Sequence, residues 1–512
     1  MGEKLTATNK LGMSRQIRRF KQFWRSFKRS KRGLFGIVIL IFYITIALAA
    51  PLLTPNDPVY GFYVAGDFAT PLWFRSLPGG EKLSENFILL DKPGFPDSAS
   101  VKEWNFNTSS TESASITLSH TLRIGAGSAA IRFRRTDPRK LAGTVEAHLT
   151  KEFPYHYGTP KRFNCYITVF AEGVEDVAAT VSVTIKQVGG NQSYPPFWSE
   201  KIETTELTTG ITPSPSIDSY ETSFKKKFAS PPEDPVGFPE REVFSEPANY
   251  VYHIWIIFED TKEETYGKPV EATIYLDDLN VRLYGTAYGL LGTDFMGRDI
   301  FAQFLYGARI SLLVGLLSAI LSVLVGLSIG LVSGYVGGAI DEGLMRFADM
   351  LLVLPTLPLL IVLMAVIGAS IWNLIIVIGV LGWMGFARVV RSQTLSLKER
   401  PFVEAAKAVG AGRFHIITRH ILPNVMSLVY VSLALSVPNA IVAEAALSWL
   451  GLYDPSVISW GRMLFDVQGN RGYERLWWVI PPGISIAFVS LSFILLGYAL
   501  DEILNPKLRV RR

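Results

Sequence analysis

Ile310-Ser-Leu-Leu-Val-Gly-Leu-Leu-Ser-Ala-Ile-Leu-Ser-Val-Leu-Val-Gly-Leu-Ser-Ile-Gly-Leu-Val-Ser-Gly-Tyr-Val-Gly-Gly-Ala-Ile340 contains no Asp, Glu, Lys or Arg. A helix rises 1.5 Å per residue, so about 20 apolar residues cross a hydrocarbon core of ~30 Å. This run exceeds that length and decides the fold class: the chain is built around membrane helices. Working outward, residues 34–53 supply an earlier span. Residues 350–387 are also uncharged and long enough for two spans, with Gly368-Ala-Ser-Ile-Trp-Asn373 as the hairpin between them. The expected helices are 34–53, about 310–336, 350–367, 371–387, 425–450 and 476–500, with a loop at 388–424. Gly326, Gly330, Gly334 and Gly338 recur every four residues, which would place them on one helix face where a neighbouring backbone can come close.

Charge fixes the orientation. Residues 1–33 hold eleven Lys or Arg and one acid, Glu3, and residues 507–512 hold four more bases. Beside an apolar run, such a segment reads as a cytoplasmic flank rather than a nucleic-acid site. Arg388, Arg391, Lys398, Arg400, Lys407, Arg413 and Arg419 fill the 388–424 loop. With six spans, all three basic segments fall on one side, the cytoplasmic one. Both termini are then cytoplasmic and residues 54–286 extracytoplasmic. Ala47-Leu48-Ala49 could mark a cleaved signal peptide, but cleavage leaves five spans and breaks the charge pattern.

The 388–424 loop is the part most informative about function. Pro401-Phe-Val-Glu404-Ala405-Ala406-Lys-Ala-Val-Gly410 reads as a short helix with Phe402, Ala406 and Val409 on one apolar face. Gly410-Ala-Gly412 stops it, and Arg413 to Ile421 resumes a helical pattern ahead of Leu422-Pro423. A protruding helix with small alanines suits docking in a partner's groove. The alternative is an amphipathic connector lying on the membrane surface.

This loop resembles the EAA loop of ABC import permeases. Glu404, Ala405, Ala406, Gly410, Leu422 and Pro423 fall at that family's spacings, and His420 replaces the usual isoleucine. Arg-His-Ile-Leu-Pro-Asn, 419–424, is similar to the variant in the dipeptide/oligopeptide/nickel branch. Segments at 291–299, 306–311, 443–452 and 459–461 are similar to that branch too, and Asn505-Pro506 stands where Asp-Pro is usual. The resemblance covers about 1–56 and 287–512, and is to the C-type subunit of a permease pair. It implies six transmembrane helices of ABC importer type, the first at 34–53 and the other five in a permease domain at 287–512 whose 388–424 loop couples to an ATPase. It also implies the partners: a second homologous permease, two ABC ATPase subunits, an extracytoplasmic solute-binding protein and the lipid bilayer. The location would be the cell membrane, plasma or inner.

The family has a short loop between its first two spans; this chain has a large insertion there. Runs such as Tyr166-Ile-Thr-Val-Phe-Ala and Ala179-Thr-Val-Ser-Val-Thr-Ile-Lys alternate apolar and polar residues. They predict a β-sandwich, jelly-roll-like, within residues 54–286. Trp104, Tyr155, Tyr157, Trp198 and Trp255 could stack on sugars or fill the core, and the domain could equally dock a binding protein. Asn107-Thr-Ser and Asn191-Gln-Ser are glycosylation sequons, and residues 210–248 read as a long Pro- and charge-rich loop.

Several chemistries are excluded. No Walker A pattern occurs, so the chain is not expected to be an enzyme and ATP hydrolysis falls to separate subunits. One cysteine, Cys165, allows no intrachain disulfide and no Cys-based metal site, and Cys165 itself reads as a buried strand residue. The six histidines show no paired ligand spacing, so no metal or cofactor is assigned, and no nucleic acid. Glu444, near the outer end of span five, is a candidate gate or pathway residue; a structural hydrogen bond is the other reading. Asp349 is expected to pair with Arg346, and Arg298 with Asp294 and Asp299 reads as turn chemistry. The solute implied by the branch is a peptide. The alternatives are an oligosaccharide, or a membrane-anchored extracytoplasmic binding or sensor module.

Overall fold

The computed structural model describes residues 24–90, 94–109, 112–122, 127–190, 194–203, 217–229 and 236–504. The basic residues before Trp24, the stretch from Asn505 on, the Asn191 sequon, and residues 210–216 and 230–235 of the Pro-rich loop lie outside the described residues. The chain forms two compact units. One runs up to Gly61 and resumes at Asp299; the other is Phe62–Arg298.

Among the described residues of the first unit, four helices are long and apolar enough to cross a membrane: Lys31–Leu53, Ile300–Val336, Arg413–Trp449 and Leu476–Leu504. Two bent pairs raise the number to as many as six. The second helix begins at Ile300, ten residues before the expected 310, because the Asp299 carboxylate accepts from Phe301 N at 2.9 Å and caps it. Arg309 therefore lies inside the helix, where hydropathy alone had ended it. It has a specific task there. Pro51 lacks an N–H, which leaves the Ala47 carbonyl without its helical partner, and Arg309 Nε donates to that carbonyl.

The expected 350–367 span is not one helix. Gly338–Val353 and Thr356–Ile367 meet at 92°, with Leu354 and Pro355 at the break. Proline cannot donate to the previous turn and disfavours helical backbone in the residue before it. The hairpin follows, with Gly368 at φ +96° and the Ser370 hydroxyl accepting from Asn373 N at 3.2 Å. Ile371–Val380 then bends by 41° into Met384–Lys398, which carries helix past 387 into the basic loop.

Of the four spaced glycines, three pack as expected. A Cβ on Gly326 would lie 2.8 Å from Trp383 O, on Gly330 2.6 Å from Ala387 O, and on Gly334 2.9 Å from Arg391 O. This face lets the Met384–Lys398 helix approach backbone to backbone. Gly338 does not belong to the set. It has φ +60°, opens the next helix and meets nothing. Two ion pairs hold that next helix to Met384–Lys398: Arg391 Nε to Asp341 Oδ1 at 2.6 Å, and Arg388 to Asp349. Asp349 thus pairs across helices, and Arg346 pairs with Glu342 instead.

The second unit is strand-rich. Its described strands are β1 Phe87–Ile88, β2 Asn105–Thr108, β3 Ala114–Thr121, β4 Ser128–Arg135, β5 Gly143–Tyr155, β6 Arg162–Glu172, β7 Ala178–Gln187, β8 Trp198–Ile202, β9 Ile217–Asp218, β10 Ala248–Asp260 and β11 Glu271–Tyr284. One antiparallel sheet has the order β3-β4-β11-β6-β9, with β1 on β11; the other has β2-β5-β10-β7-β8. The chain passes back and forth between the sheets, the jelly-roll arrangement. Inward positions alternate along the strands, and both sheets contribute to one core: Phe133 of β4 stacks on Phe258 of β10 with ring centres 5.3 Å apart. Cys165 is buried in that core, and burial pushes its thiol up. Trp104 and Tyr155 are buried in the core and are not available to stack on a sugar, while Tyr157 and Trp198 are half-buried against it.

On the other face of the second sheet, His148 Nδ1 and His253 Nε2 lie 3.1 Å apart, and the His253 ring lies against Trp255. Burial, with the neighbouring His148 and Lys186, lowers His253 to about 4. An unfolded histidine titrates near 6.5, so between pH 6.5 and 4 the unfolded chain binds more protons than the folded one. The stability His253 contributes is intact above pH 6.5 and is lost as pH falls to about 4. For this partly exposed ring the loss is on the order of 1–3 kcal/mol. Melting of the jelly-roll signal between pH 7 and 4 should show the fall, and His253→Gln should flatten it. An equal slope in the variant would contradict the assignment.

Candidate functional site

The short helix Pro401–Ala408 is set by its ends. Pro401 occupies the first turn, where a missing N–H costs nothing. At the other end Ala411 N donates to Ala406 O at 3.1 Å and Gly410 N to Lys407 O at 3.0 Å, with Gly410 at φ +81°. This is the Schellman stop, and its left-handed residue is nearly free of strain only as glycine. The spacing from Ala406 to Gly410 is therefore a backbone requirement.

Val403 and Ala406 are the buried residues of this helix, in a cluster with Tyr335, Val390, Ile416 and Ile421. The expected apolar face of Phe402, Ala406 and Val409 does not form as one. Ala406 turns inward, while Phe402 is 43% and Val409 85% exposed. Glu404, Ala405 and Gly410 are exposed as well. After Gly412 the chain turns helical again at Arg413–Ile416, and Phe414 stands 80% exposed. The loop thus presents three apolar side chains and a carboxylate on a helix anchored from beneath. Leu422 and Pro423 set the way back into the bundle. Pro423 has no N–H to give, and the preceding residues Ile417–Ile421 widen into a π-turn; Asn424 Nδ2 donates to His420 O at 2.6 Å. The His420 ring lies tilted beside Phe402 and edge-on to His415.

Glu444 is 2% exposed. Its Oε1 accepts from Ser448 Oγ at 2.8 Å and from Ser459 Oγ at 2.6 Å. Ser459 also caps the Trp460–Gly469 helix, accepting from Arg462 N at 3.1 Å. Trp460 N donates to Ser311 Oγ at 3.1 Å, its indole N–H to Phe304 O, and a Cβ on Gly461 would lie 2.7 Å from Ala445 Cα. Glu444 and Ser459-Trp460-Gly461 therefore form one clamp, which joins a short helix to two long ones.

A cavity of about 160 Å³ lies elsewhere in the helical unit and does not include Glu444. Ser318, Ser322, Thr356, Ser436 and Asn439 line it. Their scatter over three segments hid it in the sequence; the only signal was one or two polar residues in each otherwise apolar run. Among the described residues no group of three or more His, Cys, Asp or Glu could hold a metal ion.

Residues 326–510 match the family described as binding-protein-dependent transport system inner membrane component, and 18–71 match the N-terminal TM domain of oligopeptide transport permease C. The dipeptide transport system permease protein DppC of Bacillus subtilis is 42% identical over 219 residues, 43% of this chain and 68% of that protein. The oligopeptide transport system permease protein OppC of the same organism is 40% identical over 219 residues, 43% of this chain and 72% of that protein. Among solved structures, a chain of the MetNI methionine ABC transporter in an inward-facing form is 16% identical at a TM-score of 0.33, covering 39% of this chain and 96% of that one. The chain belongs to the family of binding-protein-dependent ABC transport permeases, in its dipeptide/oligopeptide branch of C type.

Proposed function

We propose that this chain is one of two permease subunits of an ATP-driven peptide importer, and that Glu404, Ala405, Ala406, Gly410, Leu422 and Pro423 form its coupling loop. The observation that carries this reading is the Pro401–Ala408 helix, pinned by Val403 and Ala406 yet offering Phe402, Val409 and Phe414 to solvent. Large apolar side chains clustered around an anchored helix mark an interface. One of the two ABC ATPases would seat there, and the motion on ATP binding would reach the bundle through Val403, Ala406 and the Met384–Lys398 helix they pack near. An extracytoplasmic binding protein would deliver the solute, and a second permease would complete the pore. The names of the related permeases favour peptides as that solute.

In this reading the basic segments lie in the cytoplasm, and residues 54–286, whose Asn107 is exposed, lie outside it. Ser318, Ser322, Ser436 and Asn439 form part of the pathway wall. Glu444 acts as a clamp that keeps the outer helix ends together.

The test is reconstitution of the chain in liposomes with its partner permease, ATPases and binding protein. ATP-dependent uptake of labelled trialanine is expected, without uptake of maltotriose. Uptake of maltotriose alone would replace the solute; uptake without ATP would remove the importer reading.

A further inference from the structure

The jelly-roll unit contains a cleft of about 530 Å³, whose lining includes Asp67, Lys161, Tyr220, Lys225, Glu240 and Arg241, with Phe238 beside them. That volume is within the ~300–1,000 Å³ of small-molecule sites. The cleft is built from rigid parts. Tyr220 follows Asp218, which Arg162 holds with Nε to Oδ1 at 2.9 Å. Glu240 rides on the Pro239–Val243 helix, whose Pro239 and Val243 are buried.

Its charges are of both signs and are not paired with each other. Lys225 Nζ lies 5.0 Å over the Tyr220 ring, and the Arg241 guanidinium 4.6 Å over the Phe238 ring. Aromatic faces rather than carboxylates hold these two cations in place. Asp67 accepts from the neutral Tyr220 hydroxyl. Glu240 Oε2 is buried and has no hydrogen-bond partner among the described residues. Burial raises the Glu240 pKa, although Lys225 and Arg241 are near enough to oppose this. A ligand ammonium group would find its counter-charge in the two carboxylates that line the cleft, Asp67 and Glu240. The cations need the converse, a ligand carboxylate. Sugar hydroxyls would supply neither charge.

We infer that this cleft binds the two charged ends of a short zwitterion of peptide type, the ammonium at Glu240 and Asp67 and the carboxylate among Lys161, Lys225 and Arg241. The site is separate from the pore, and its occupancy does not depend on whether the helical unit transports peptides.

Calorimetry on the full-length chain in detergent, without ATPases, tests this with trialanine as the probe. Trialanine should bind, and N-acetyl-trialanine amide, which lacks both charges, should bind at least about tenfold more weakly. Glu240→Gln and the exposed Lys161→Met should each weaken trialanine by a similar factor while leaving the melting temperature unchanged. Glu404→Arg, in the other unit, should leave trialanine binding intact whatever it does to uptake. No binding of trialanine, equal binding of the capped peptide, or Glu240-dependent binding of maltotriose instead would overturn the assignment.

Discussion

A Gly410→Val chain is expected to assemble in the membrane and to lose about nine-tenths of its ATP-driven uptake, whereas Gly410→Asn keeps most of it. The reason is the backbone at this one position. Gly410 has φ +81°, and a Cβ added there meets nothing within 4 Å. Crowding by neighbours is therefore not the issue; the conformation is. A left-handed residue with an ordinary side chain costs about 1–2 kcal/mol, and a β-branched one more, while asparagine tolerates it. A local cost of this size is enough to shift the two-state balance of the loop by about tenfold. Valine would release the bonds from Gly410 and Ala411 to Lys407 and Ala406, so that Val409 and Phe414 no longer present a fixed spacing. Glu404→Arg tests the same surface from the side-chain end and should abolish co-purification of the ATPases. If Gly410→Val transports normally, or if valine and asparagine behave alike, the helix stop is not what couples the subunits.

The helix, stop and re-entry of the proposed coupling loop were legible in the sequence because their spacing is local physics. Glu404, Ala406, Gly410 and Pro423 mark a helix, its stop and the re-entry into a span, all within one short stretch. Which face of that helix turns inward was not legible. In eight residues, Val403 with Ala406 satisfies helical periodicity as well as Phe402, Ala406 and Val409 do, and packing against Val390 and Ile421 decided between them. Hydropathy found the apolar runs but not their shape. A charge-free stretch looks the same straight or bent by 92°, although Pro355 was a sign that could have been read. It also stopped the second helix at Arg309, which stays in the helix because Pro51 leaves it a carbonyl to bind. The strand character of the insertion followed from alternation. Its cleft did not, since Asp67, Lys161, Tyr220 and Glu240 come from four distant segments. Glu444 was visible as a buried charge with Ser448 one helical turn on; its other partner, Ser459, became evident only in the fold.

The largest effect on stability is expected in the jelly-roll unit, at Asp260. Both Asp260 and Arg135 have fully buried side chains. Arg135 Nε donates to Asp260 Oδ2 at 2.8 Å, its Nη1 to Thr265 O at 2.8 Å and its Nη2 to Thr265 Oγ1 at 2.7 Å. Asp260 Oδ2 also accepts from Ala142 N at 2.9 Å. The pair joins the end of β4 to the end of β10, one strand from each sheet. The neighbouring carboxylate raises Arg135, so the guanidinium stays charged at any accessible pH. Asp260→Ala would leave that charge buried without a counter-ion, at a cost of about 3–5 kcal/mol. For a unit of this size, melting should fall by about 6–20 °C. The converse experiment separates the cost of orphaning a charge from the worth of the pair. Replacing both residues with apolar ones, Arg135→Met with Asp260→Leu, removes the need for a counter-ion and is expected to recover most of the loss. A melting shift of less than about 2 °C for Asp260→Ala would mean that water reaches the guanidinium. A double variant less stable than the single one would mean that the bonds to Thr265 and Ala142, rather than the ion pair, hold the two sheets in register.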